Sequence, residues 1–585
     1  MNTTAVQPSS PVSDGPIVTA THGTYARFHA NPNLKKRYVT IFAMTFMNIS
    51  MMVGIGNDVQ MAFYGLSSVF FYVAGAILFF IPTALVAAEL ATGWPEAGGI
   101  FRWVGEGIGR SWAVLCVFVL WIQNALNLAQ APASYTETVA FFGPNFNYAI
   151  NFAEDPTKYI SQAAFIWIMI AWIISFWIEA WICNKGVKFF DKIVAVGVTV
   201  GTILPLLLMI ILGIVYIAQG HHIYMSTNPK DLVPNTWGMS TLSLAATVFF
   251  GYAGIDDNAV YVAKMKHPER SYVTATVLTV FACLVIFIVG TLVIAMVVPN
   301  DSINVIYSLN QVFMVLGATI GAPWLYLVIV YISMFNNVTA NIAMFAAPSL
   351  MFGQAGGAGF MPKWLQAKNK HGMPARLVYL QCIIFTVLSF VFELMPNVEG
   401  FVIMISQATT VLYLIYYILM FSTFLRMKYT QANRPRVFSV PGGKTGAWIV
   451  AGAGIVTSIF GIVMAIWPPA QVAEEVGSPV TYVTVIILLC VVIVAIPFIL
   501  SAISKHKDWV DPANKFAPYT WEIEGLRKPG KSLSNVSTTV LSYDQNSMGM
   551  PIKHRFSITD TMDSLPKELI EDALLAQDEK AATEE

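Results

Sequence analysis

Apolar stretches long enough to cross a bilayer, at about 20 residues per helical pass, recur from Val39 to Ser501. Two of them are broken in mid-course by glycines followed at once by acids. The first interruption reads Val53-Gly54-Ile55-Gly56-Asn57-Asp58, the second Phe250-Gly251-Tyr252-Ala253-Gly254-Ile255-Asp256-Asp257. In lipid, an unwound helix survives only where its freed backbone groups are buried in protein or line a cavity. A carboxylate at that depth costs about 2.5–3.5 kcal/mol on insertion scales and is rarely left without a partner. Paired interruptions at corresponding places in two halves of a chain point to a substrate site near the membrane midplane, as in secondary transporters.

Composition supports a membrane class. Of 585 residues, 56% are hydrophobic and only 11% charged, with a mean hydropathy of +0.63. A soluble chain would carry about a quarter charged residues. The net charge of zero argues against a nucleic-acid partner. The five cysteines lie in or beside apolar segments without metal-ligand spacing, and read as small buried hydrophobes. No phosphate-binding G-x-x-x-x-G-K-[ST] run and no nucleophile constellation occurs, so gradients rather than ATP would drive the protein. It is expected not to be an enzyme and to need neither cofactor nor metal. The N-terminus, from Met1 to about Asn33, is polar and lacks the apolar core of a signal peptide.

The apolar segments number twelve, near 39–64, 67–92, 111–142, 159–182, 190–218, 239–262, 272–298, 311–350, 375–395, 399–425, 446–467 and 478–501. Basic residues collect on alternate links: Arg102 and Arg110, Lys185 and Lys188, Lys264 and Lys266, Lys363 and Arg376, Arg434 and Arg436. The opposite loops hold only Lys158 and Lys230 beside several acids. This asymmetry places both termini in the cytoplasm. The interruptions fall in segments 1 and 6, so segments 1–5 and 6–10 form an inverted pair. Residues 1–38 are then a cytoplasmic segment and 39–505 the transporter domain. That domain divides into repeat one at about 39–218, repeat two at about 239–425 and extra helices at 446–501. Residues 506–585 form a largely flexible tail ending in an acidic run.

Several stretches carry a family signature: Ala88-Glu89-Leu90 through Pro95-Glu96-Ala97-Gly98-Gly99, Lys266-His267-Pro268-Glu269-Arg270, and Phe360-Met361-Pro362-Lys363-Trp364. Together they resemble the amino acid–polyamine–organocation transporters. Phe80-Ile81-Pro82 and Val440-Pro441-Gly442-Gly443-Lys444 look most like its bacterial glutamate/GABA antiporter subfamily. The resemblance implies an all-α membrane protein with a LeuT-like five-plus-five inverted repeat, helices 1 and 6 broken, and two extra C-terminal helices. It also implies exchange of an amino acid for its decarboxylation product. Where those antiporters carry a Gly-Val-Glu-Ala run, this chain reads Gly254-Ile255-Asp256-Asp257, so Asp256 takes the Glu position and Asp257 is an added acid. That departure turns the reading away from glutamate. Lys553-His554-Arg555 resembles the basic C-terminal segment with which relatives plug the cytoplasmic mouth; an unstructured tail is the alternative.

A broken helix exposes N–H groups at one half's N-terminus and C=O groups at the other half's C-terminus, which suits an α-amino acid bearing both charges. The carboxylate is expected at Gly54 and Gly56, and the ammonium at carbonyls near Ala253 and Gly254 with help from Asp256. Close helix packing is the alternative role for the glycines. Asp58, Asp256 and Asp257 together favour a cationic cargo, and any of them could be the proton-titrating group. In segment 3, Gln123, Asn127 and Gln130 share one helical face; in segment 8, Asn337 and Asn341 stand with Asn336. For both sets, ligand contact and interhelical hydrogen bonding remain open. Tyr252, inside the break, could gate or stack on cargo; Tyr135 and Trp121 are weaker candidates. Glu89 and Glu96, near Arg102, read as an ion pair or inner gate.

The expectation is an alternating-access antiporter in a bacterial plasma membrane. It would import an amino acid and export the amine made by a cytoplasmic decarboxylase, serving acid resistance. Histidine/histamine, tyrosine/tyramine and ornithine/putrescine suit the acidic site. The alternatives are a glutamate/GABA antiporter and a permease or nutrient sensor of the same fold.

Overall fold

The computed structural model describes residues 39–53, 55–94, 98–129, 139, 141, 162–235, 237–265, 268–303, 308–393, 398–432, 434, 436, 438–469, 478–504, 509, 516, 519–523, 529, 541–542 and 554–555. Over these the regular structure is helical, apart from two-residue strands at Leu541–Ser542 and His554–Arg555, which pair antiparallel, and an isolated bridge between Val39 and Met265. The first interrupted segment comprises α1 (Ile41–Met52) and α2 (Ile55–Ala62). Then follow α3 (Gly65–Gly93), α4 (Ile100–Gly107), α5 (Arg110–Leu128), α6 (Gln162–Cys183) and α7 (Lys192–Ala218). The second interrupted segment comprises α8 (Met239–Ser243), α9 (Thr247–Gly251) and a 3-10 turn over Asp257–Lys264. The remainder are α10 (Pro268–Val297), α11 (Ser308–Thr319), α12 (Leu325–Gly357), α13 (Ala375–Glu393), α14 (Val398–Thr430), α15 (Gly443–Ile466) and α16 (Pro479–Ser504).

Among the described residues, nine helices are long and apolar enough to cross a membrane. Their burial separates the middle of the bundle from its rim. In the apolar windows of α14 and α5, 83% and 78% of residues are buried, against 22% in α16. The rim helices turn large apolar side chains outward, such as Leu488, Ile211 and Phe281. In water that surface would be a liability; against lipid tails it is the expected solvent-facing side.

Both interruptions are present, and each is shorter than its glycine content suggests. Thr40 caps α1, its hydroxyl accepting the Ala43 N–H at 3.1 Å. The helix ends when Val53 turns extended (ψ 100°), and helical geometry resumes at Ile55. Gly56 and Asp58, expected within the break, therefore lie in the first turn of α2, where the Gly56 N–H has no acceptor within the helix. The second break is wider. After Gly251 the chain turns through Gly254 at φ +103°, which costs a residue with a Cβ dearly, and continues as a 3-10 turn from Asp257. The two broken segments cross antiparallel, α1 packing on the 257–264 turn and α2 on α9.

One boundary differs from expectation. The apolar run at 311–350 is not a single span: α11 ends at Thr319, Gly321 takes φ +73° in a turn, and α12 runs from Leu325 to Gly357. Pro323 lies in that turn and cannot supply an N–H to a continuing helix.

Candidate substrate site

The deepest polar cluster lies where the second break meets α14. That helix carries Tyr413, Tyr416 and Tyr417 at i, i+3 and i+4, which puts three phenols on one face. Tyr417 donates to Asp256 Oδ1 at 2.7 Å, Tyr416 donates to Asp256 Oδ2, and Tyr413 donates to Asp257 Oδ2 at 2.6 Å. The Tyr417 hydroxyl also accepts the Gly254 N–H at 2.7 Å, so one phenol satisfies both a carboxylate and an unwound backbone donor. Both acids are buried, at 1% and 0% exposure. Asp257 Oδ1 has no hydrogen-bond partner. Among the described residues no lysine, arginine or histidine pairs with either carboxylate.

Neighbouring elements close the cluster. Met51, at the end of α1, approaches Gly254, where an added Cβ would lie 3.7 Å from the Met51 Cβ and 3.4 Å from the Tyr413 hydroxyl. Tyr272 of α10 donates to the Ile255 carbonyl at 3.3 Å, and the Gly254 carbonyl accepts the Asp257 N–H at 3.2 Å. The Gly254 carbonyl, one of those expected to hold an ammonium, thus already accepts a hydrogen bond within the fold, and the negative charge of the cluster comes from side chains. Asn258 donates to Asn48 of α1 at 3.1 Å, and Asn48 to Thr279 of α10 at 3.3 Å, tying both broken segments to one scaffold helix.

Tyr252, Asn127 and Asn341, also expected at the site, make hydrogen bonds to other parts of the bundle. Tyr252 is fully buried, stacked on Phe80 at 4.6 Å, with its hydroxyl donated to the Tyr72 carbonyl at 2.9 Å. It fixes the break against α3. Asn127 donates to the Met344 sulfur at 3.5 Å and Asn341 to Glu179 at 3.1 Å, both bridging to other helices. Gln123 is buried with Oε1 unpartnered, Asn337 is half-buried in α12, and the backbone of Gly56 and Asp58 is helical. Gly54, Glu96, Gln130, Tyr135 and Lys553, and the side chain of Asp58, lie outside the described residues.

A second polar cluster lies at the Glu89 end of α3. Glu89 pairs with Arg436 and, at 2.7 Å, with Lys428, and its Oε2 accepts the Val440 N–H at 2.7 Å. Burial draws the Arg436 guanidinium below its ordinary value, while Glu89 opposes that shift. Arg434 and Arg436 both lie over the Trp94 ring, 4.9 and 5.1 Å from its centre. Arg102, expected beside Glu89, instead pairs with Glu106 at 2.9 Å, four residues on in the same helix. Tail residues pack here too. Tyr519 lies 5.3 Å from the Arg102 guanidinium, Trp521 donates to the Gly105 carbonyl at 3.0 Å, and Pro529 accepts from Arg426 at 2.9 Å.

Sequence reasoning missed the three tyrosines. The available signal was their shared face within an apolar span, where each hydroxyl needs a partner.

With this geometry in view, comparison with known proteins assigns the family. The family model of amino acid permeases matches residues 39–500. The chain belongs to that family. Its relatives include an uncharacterized transporter of Legionella pneumophila, 29% identical over 75% of this chain and 92% of that protein. A glutamate/gamma-aminobutyrate antiporter of Lactococcus lactis is 28% identical over 80% of this chain and 90% of its own length. A probable agmatine/putrescine antiporter of the same species is 21% identical over 65% and 77%. These amino acid permease relatives are transporters and antiporters rather than enzymes, and this chain is a multi-pass membrane transporter.

Proposed function

We propose that this permease exchanges an external amino acid for the amine that a cytoplasmic decarboxylase makes from it, by alternating access across a bacterial plasma membrane. The observation that carries the reading is the acid pair. Two buried carboxylates stand at the joint of two interrupted, antiparallel segments, held by neutral hydroxyls, with no cationic side chain paired to them among the described residues. A buried anion needs a counter-charge, and a cargo ammonium supplies one.

The architecture behind this reading has twelve spans: the nine long apolar helices, α13 and the two interrupted segments. Segments 1–5 and 6–10 form the inverted repeat, with both termini cytoplasmic. Asp256 contacts the ammonium, Asp257 supports it, and the Gly54 region receives the carboxylate. A neutral amino acid entering and a cationic amine leaving would move positive charge outward while decarboxylation consumes a proton inside. Histidine/histamine, tyrosine/tyramine and ornithine/putrescine fit this scheme. The relatives named for glutamate and gamma-aminobutyrate favour a second reading, in which the gamma-amino group takes the same acids.

Purified protein in liposomes loaded with each amine in turn tests both readings. Uptake of labelled amino acid is expected only with its own amine inside. Uptake that ignores the internal amine would replace the antiporter with a uniporter or symporter.

A further inference from the structure

The acid pair presents four carboxylate oxygens, and α14 answers three of them. Tyr416 and Tyr417 take both oxygens of Asp256, Tyr413 takes Asp257 Oδ2, and Asp257 Oδ1 is left unpartnered at zero exposure. A hydroxyl donor spreads negative charge without cancelling it, so the cluster keeps uncancelled negative charge, and one oxygen, Asp257 Oδ1, also lacks a hydrogen. We propose that Asp257 Oδ1 is the seat of a single exchangeable proton, displaced when a cargo ammonium enters. This inference rests on the reading of the acid pair as the cargo site.

The groups facing Asp257 support a one-proton device. From α14 come the three phenols. From α5 comes Cys116, whose thiol donates to the Tyr416 carbonyl at 4.0 Å, and from α10 comes Tyr272, bound to the Ile255 carbonyl. Helices α1, α3 and α12 also pack on the 257–264 turn. Of these, α1 and α12 carry no charged side chain, and the one acid of α3, Glu89, is paired with Arg436 and Lys428. Asp256, the immediate neighbour, already has two donors. The exchange balances simply. An ammonium meets the protonated Asp257, its N–H bonds replace the O–H at Oδ1, and the released proton leaves to water on the open side. The reverse occurs on unloading, so the site alternates between proton and ammonium and its charge stays constant.

The test measures homoexchange in liposomes loaded with unlabelled tyramine, putrescine or GABA, with the external label at pH 4.5 to 8. The ammonium groups of all three stay charged across that range. In the native protein KM is expected to rise as pH falls, approaching tenfold per unit, with Vmax steady, as one proton competes with one ammonium. Asp257→Asn should flatten that dependence, and Asp257→Glu should restore its slope with a displaced midpoint. A native KM indifferent to pH, an Asp257→Asn variant that keeps the native slope, or an Asp257→Glu variant with an unmoved midpoint each overturns the proton seat. The native slope and the Asp257→Glu variant decide the matter even if Asp257→Asn does not reconstitute. Native protein that exchanges none of these amines, nor histamine, overturns the amine-exchange reading as well. Exchange with a flat KM overturns the proton seat alone.

Discussion

The two buried polar clusters solve the same problem in opposite ways. At the Glu89 end each described acid has a cation: Glu89 has Arg436 and Lys428, and Glu106 has Arg102. At the second break, among the described residues, the side-chain partners of Asp256 and Asp257 are all phenols. A matched network is complete without cargo and holds helices together. An unmatched one is completed only by something that arrives, so charge pairing, rather than burial, separates a structural joint from a cargo site. The contrast predicts opposite consequences for neutralising an acid in each place.

The largest effect on folding is expected at Glu89. Glu89→Gln leaves Arg436 and Lys428 buried without their shared carboxylate, a loss of about 3–5 kcal/mol when one partner of a buried pair is removed. Detergent-solubilised variant should melt well below native protein or fail to yield a monodisperse species. A Glu89→Gln protein with native melting but no exchange would move Glu89 into the transport machinery and dissolve the contrast.

Asp256→Asn should do the reverse. The substitution removes a buried charge that lacks a cation, so melting is expected at or above the native temperature. Losing a charged hydrogen bond to cargo is worth about 1.5–3 kcal/mol, or roughly 10- to 150-fold in exchange measured as kcat/KM. An Asp256→Asn protein that exchanges amine at the native rate removes Asp256 from the site.

These two residues also show what the chain makes legible on its own. Asp256 could be singled out because glycine, acid and apolar run are neighbours in sequence, and the helix does unwind at Gly254. The partners of both acids are distant: Arg436 lies 347 residues from Glu89, and Tyr416 lies 160 from Asp256. Local pattern carries no such information, so the nearer Arg102 looked like the partner of Glu89. The same limit explains Asn127 and Asn341. A polar face in a span announces that something is bound there, but whether that is cargo or another helix depends on what packs opposite. The split between α11 and α12 was readable at Gly321 and Pro323 but was masked by the continuity of the apolar run.

A smaller effect is expected from Tyr417→Phe. The phenol serves both Asp256 Oδ1 and the Gly254 N–H, so its removal leaves two buried polar atoms unanswered. The cost is about 1–3 kcal/mol in stability, with a loss of exchange smaller than that of Asp256→Asn. Tyr416→Phe retains the Gly254 bond and should cost less. If the two phenols prove equal in melting experiments, the Gly254 contact contributes nothing and the break is held by other means.

The mildest perturbation concerns the tail, which lies against the matched cluster and far in sequence from the unmatched one. A Cβ added to Gly105 would run into the buried Tyr519 ring, so Gly105→Ala cannot keep the tail in place. Helix α4 itself should gain slightly from alanine, leaving the melting of the bundle within about 1 kcal/mol of native. Chymotrypsin should then cut at Tyr519 and Trp521 faster than in the native protein, while amine exchange persists. Persistence is the informative result, because a carrier whose cargo site is the acid pair does not need the tail to bind or move its substrate. Loss of exchange with an intact, correctly melting bundle would make the tail part of the working machinery. It would also favour a ligand-sensing role, signalled through that tail, over transport.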